Sequence, residues 1–126
     1  MLVRLLKDLN PGASGPVASG QGEWPATWRG STTGLRGEVY DVEVDIGDQP
    51  LAVHRGAEAV PAEGVHLCDT RLVVCGVLTL FDDGLIALDL KPGTVLVEPS
   101  GAVPSALSGT TVHVLPDHIS IFPAGI

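Results

Sequence analysis

At 126 residues the chain is one domain's worth, long enough to bury a core and too short for two. With 44% hydrophobic and 17% charged residues it is too apolar to remain disordered. A net charge of −8 repels phosphate backbones and anionic lipid, which disfavours nucleic acid and membrane as partners.

The opening residues Leu2, Leu5, Leu6 and Leu9 fall at helical spacing, but the run has no N-cap and is short, so a strand over 2–6 is preferred. Residues 11–34 are rich in Gly, Pro, Ser and Thr without a period and read as a loop or arm. Trp24 and Trp28 lie inside it. A tryptophan in such a segment either pins it to the body by burying its ring or serves as a partner-binding anchor.

Residues 39–46 form the clearest strand: Tyr40, Val42, Val44 and Ile46 alternate with Asp41, Glu43 and Asp45. Period two puts the apolar set on one face and three carboxylates on the other. Gly47-Asp48 turns the chain and Leu51-Ala52-Val53 returns, followed by a loop over 56–63 and a brief strand at 65–67. The apolar run 71–81 contains Gly76, which signals a bulge or bend. Asp82-Asp83-Gly84 predicts a hairpin into 85–90, and Lys91-Pro92-Gly93 a turn into 94–98. A second loop covers 99–109, and strands over 110–115 and 118–122 flank Pro116-Asp117. Seven or eight short strands predict an all-β domain, a small OB-like or Greek-key barrel with a loop-rich N-terminal arm.

Chemistry-bearing clusters are sparse. His66, Cys68 and Cys75 are the best metal candidates, since His-x-Cys shares a strand face and imidazole with thiolate suits zinc. The sequence has no C-x-x-C pair, and Cys75 sits in an apolar run where a cysteine acts as a small hydrophobe, so no metal or other cofactor is expected. His113 and His118 flank a turn and read as ordinary histidines. There is no G-x-S-x-G elbow and no phosphate-cradling glycine loop. An enzyme using His66, Cys68 or His113 is the third-ranked function.

Charge is unevenly spread. Residues 1–36 carry Arg4, Lys7, Arg29 and Arg36 against Asp8 and Glu23, while residues 37–126 carry 13 acids against Arg55, Arg71 and Lys91. This suits a basic protein partner or a cation, and it equally serves solubility. No segment has the apolar length of a membrane span, and residues 1–8 lack the long apolar run and small-residue cleavage site of a signal peptide, so none is expected. Two cysteines make no disulfide framework, so a reducing cytoplasm is expected. Exposed strand edges would also permit a homo-oligomer.

The run Gly37-Glu38-Val39-Tyr40-Asp41-Val42-Glu43-Val44-Asp45-Ile46-Gly47, with Leu51-Ala52-Val53, residues 63–67 and the closing stretch 112–122, resembles the OB-like TOBE domains that end many transporter ATPases. The resemblance implies a small barrel, and it opens a ligand-binding alternative: an oxyanion, sugar or metal in a cleft. A second resemblance is to small acidic actinobacterial proteins of immunity or unassigned type. It is carried by Lys7-Asp8-Leu9-Asn10-Pro11-Gly12, Tyr40-Asp41-Val42-Glu43 and Asp82-Asp83-Gly84. It implies a protein that covers a partner. The preferred function is therefore a non-catalytic protein-binding module engaging a basic partner through Asp41, Glu43 and Asp45, with Trp24 and Trp28 as further candidates.

Overall fold

Alternation of residue type governs most of the chain. In the computed structural model, which describes residues 1–20, 22–47, 49–56 and 63–124, Val42 and Val44 are buried while Asp41, Glu43 and Asp45 are exposed. The described residues form eleven strands. These are β1 (Leu2–Leu5), β2 (Ser14–Ser19), β3 (Gly22–Trp28), β4 (Val39–Asp45), β5 (His54–Arg55), β6 (Gly64–Cys68), β7 (Arg71–Leu80), β8 (Ile86–Asp89), β9 (Thr94–Val97), β10 (Thr111–Val114) and β11 (Ser120–Pro123). One 3-10 turn, Ser105–Leu107, interrupts the loop before β10.

Five strands close a barrel in the order β1-β2-β3-β11-β4, with β4 returning to β1. All neighbours are antiparallel except β3 and β11, which run parallel. The remaining strands, between β4 and β11 in the chain, make a second sheet in the order β5-β10-β7-β8-β9. Strand β7 is its spine. One edge pairs with β10, and the other is shared end to end by β6 over the first half and β8 over the second. Gly76 sits at that junction. A Cβ there would lie 2.7 Å from the Asp89 carbonyl oxygen, so only glycine lets the two strands close up at the changeover. Both sheets contribute to one core, in which Trp24, Trp28, Val44 and Ile121 of the barrel join Val74, Leu78 and Leu88 of the second sheet.

The arm expected over 11–34 is corrected: its centre is the β2–β3 hairpin. Its prolines hid it. Pro16 lies opposite Pro25 in the β2–β3 register. Leu6 N–H donates to the Pro16 carbonyl, and Thr27 N–H donates to Ile119. The N–H groups that these prolines lack would therefore point away from the β2–β3 ladder, so no bond between the two strands is lost. The strand count also exceeds seven or eight, because β2, β3 and the two-residue β5 were not legible. The return expected at 51–53 is a single parallel bridge, Leu51 to Pro99. Most of the loop expected at 56–63, and Asp48 of the first turn, lie outside the described residues. The opening strand, the Asp82-Asp83-Gly84 hairpin and the strands on either side of Pro116-Asp117 form as expected.

An acidic face beside two exposed apolar side chains

Residues directly opposite in an antiparallel ladder share a face. Glu43 lies opposite Phe122 of β11, and Asp41 lies opposite Leu2 of β1. The outer surface of the barrel here is thus a row of carboxylates flanked by apolar side chains, Leu2 on one side and Phe122 on the other. Strand β9 of the second sheet runs alongside and adds Leu96. Leu96 is 60% exposed and Phe122 40%, high values for large apolar groups.

Between β4 and β9 lies an open groove of about 560 Å³ lined by Glu43, Val44, Asp45, Thr94, Leu96 and Phe122. A smaller hollow of about 220 Å³ continues it past Asp41 and Gly93 toward Met1. Neither is lined by a lysine or arginine. The three acids are not equivalent. Asp41 accepts a 3.0 Å hydrogen bond from the Met1 amino group, and Asp45 accepts one of 2.7 Å from Gly47 N–H. Glu43 lines both hollows. Asp41 is paired with the amino terminus, whereas Glu43 and Asp45 offer negative charge without a cationic partner among the lining residues, next to apolar surface. This is the composition of a patch that recognises a positively charged amphipathic segment.

Trp24 and Trp28 belong to the interior instead. They are 1% and 2% exposed, and with Ala26 they form the buried face of β3. Trp24 Nε1 donates to Ser19 Oγ at 3.1 Å, and Trp28 Nε1 donates to the Thr32 carbonyl at 2.8 Å. The Trp28 ring meets Tyr40 edge-on at 4.8 Å. Only the rim of Trp24 reaches the surface, in a shallow depression with Pro16, Pro25 and Leu67. As partner-binding anchors they are withdrawn, because burying an indole in the core removes the area an interface would use.

His66 and Cys68 share one sheet face, as their spacing suggested, and Cys75 of β7 lies on it too, but the three do not converge. His66 is opposite Val73, one step diagonal from Cys75, and Cys68 is opposite Arg71. Cys68 therefore pairs four residues away from Cys75, roughly 13 Å along the strand, beyond disulfide reach. Both thiols are free. Among the described residues no group of three or more His, Cys, Asp or Glu side chains is arranged to hold a metal.

The register instead builds a row the sequence did not reveal. Cys75 is opposite His113, and His113 is opposite His54. The two imidazoles stack at 4.9 Å, and His113 Nδ1 lies 2.8 Å from the Gly56 carbonyl. Burial, reinforced by the Glu63 carboxylate, raises the Cys75 thiol above its ordinary range. A nucleophilic cysteine needs the opposite shift. His118 is exposed, and its carbonyl accepts a 2.9 Å bond from Gln49 Nε2. No helix among the described residues is long and apolar enough to cross a membrane.

The apolar half of the β4 surface escaped the sequence reading because Leu96 and Phe122 come from strands far apart in the chain. Their signal was present only as odd-numbered and even-numbered positions whose outward faces depend on pairing. Compared with family models, curated proteins and solved structures, the chain has no match.

Proposed function

We propose that the protein is a non-catalytic binding module that captures a basic protein partner on the outer face of β4. The observation that carries this is the groove beside β4, where Glu43 and Asp45 stand next to exposed Phe122 and Leu96 with no basic residue lining it. Long-range attraction to such a face accelerates encounter, and the apolar pair supplies the desolvated contact that holds the complex. An immunity- or adaptor-type role, in which this chain covers its partner, fits that division of labour.

The finer OB-like description of the barrel belongs with this proposal. It is supported by five-strand closure and by a strand order in which β11 inserts between β3 and β4, a Greek-key feature. A reducing cytoplasm is supported by two free thiols spaced beyond disulfide reach.

The test is reversal of Asp41, Glu43 and Asp45 to lysine. Association with the basic partner should slow by about tenfold or more at low salt, and its salt dependence should flatten. Unchanged association after the reversal removes this surface from the account.

A further inference from the structure

The strand order leaves one side of β9 open beside the acidic face. Leu90 N–H donates to the Gly93 carbonyl at 2.8 Å, which fixes the alternation of the β8–β9 ladder. In that alternation Val95 and Val97, paired with Leu88 and Ile86, direct their backbone groups to β8. Thr94, Leu96, Glu98 and Ser100 then direct theirs to the other side. The chain itself shows that this side accepts a strand: Leu51 N–H donates to Glu98 C=O, and Ser100 N–H donates to Leu51 C=O, both at 2.9 Å. Upstream, at Thr94 and Leu96, no described residue takes up the two N–H and two C=O groups. Both residues are exposed, and both line the groove with Glu43, Asp45 and Phe122.

An open edge of this kind is a template for another chain. A second copy of this protein is a poor occupant, because it would bring its own Glu43, Asp45 and Glu98 against those already present. A segment carrying lysine or arginine complements them. We propose that an extended basic segment of a partner protein adds to β9 as a further strand. Its backbone bonds to Thr94 and Leu96, and its apolar side chains rest on Leu96 and Phe122. Its basic side chains reach Glu43 and Asp45. This rests on the acidic-face proposal and adds the mode of recognition: main-chain bonds supply affinity, and alternate side chains supply specificity.

The test uses the full chain, isotope-labelled for NMR, and a blocked alternating lysine–valine octapeptide as probe. On binding, the Thr94 and Leu96 amides should become protected from exchange. An analogue N-methylated at every residue keeps charge and side chains but presents no N–H on either edge, and it should bind about tenfold more weakly, as expected for one or two lost backbone bonds. Leu96→Pro should weaken the unmethylated peptide similarly. An outward-facing edge N–H is a site where proline is tolerated, and Leu96→Ala, which keeps the N–H, should retain more of the affinity. Equal binding of both peptides that is lost on Glu43→Lys with Asp45→Lys would overturn strand addition and leave the acidic face standing. If neither peptide binds, or if binding is indifferent to the charge reversal, both are overturned. Self-association abolished by Leu96→Pro would assign the edge to a second copy and overturn the proposal as well.

Discussion

Trp28 ties the loop that follows β3 to the barrel. Its indole is held by Thr32, by Tyr40 and by the closely packed backbone of Gly34, where an added Cβ would lie 2.9 Å from the ring. Tyr40 OH in turn accepts the Leu35 N–H at 3.0 Å, tying the same loop from the other side. Trp28→Ala should therefore cost about 3–5 kcal/mol in urea unfolding, the range for emptying a large buried aromatic site. The glycines that made residues 11–34 look like a loop are thus partly packing requirements of a tryptophan. That requirement is invisible until the tryptophan is known to be inside.

Cys75 makes a second test at this scale. Its thiol is buried and held up in pKa, so the folded protein keeps the proton at a pH where the unfolded chain releases it. Above the ordinary thiol range the native state binds more protons than the unfolded state, and stability should fall as pH rises there. Cys75→Ala should remove that part of the alkaline decline, measured as unfolding free energy between about pH 8 and pH 10. In the native protein a thiol reagent should modify half-buried Cys68 well before Cys75.

Among the elements, legibility followed the contrast between the two faces of each strand. In β4 every outward position from Asp41 to Asp45 is charged and every inward one is valine, so strand and face could both be read. In β3 the same alternation exists, with Trp24, Ala26 and Trp28 inside, but Glu23, Pro25 and Thr27 outside look like loop chemistry. A proline is read as a break unless its missing N–H is known to face away from the partner strand, and that depends on β11, remote in sequence. The bulge or bend expected at Gly76 is replaced by uninterrupted pairing with β10, and the glycine answers instead to the β6-to-β8 changeover. Gly76→Ala should destabilise by about 1–3 kcal/mol, since the added methyl meets backbone that must move. Thermal or urea unfolding would check it, with Thr79→Ala on an exposed position of the same strand as control.

For the whole molecule, the acids of β4 were legible as a candidate surface, whereas the groove they border was not. It exists because the second sheet, inserted between β4 and β11, brings β9 beside the barrel. Antiparallel pairing of β11, the last strand, with β4 puts Phe122 next to Glu43. Neither arrangement has a local signature. The charge asymmetry carries through to this scale: residues 37–126, with 13 acids against three bases, carry more negative charge than the net −8 of the chain, and the groove has no basic lining.

The most direct measurement is a paired capture from lysate of the native organism at low and moderate salt, read by mass spectrometry. One bait is the native chain and the other carries Asp41, Glu43 and Asp45 reversed to lysine. The account predicts one dominant basic protein on the native bait, depleted at higher salt and absent from the reversed bait. The same proteins on both baits at both salts would contradict it.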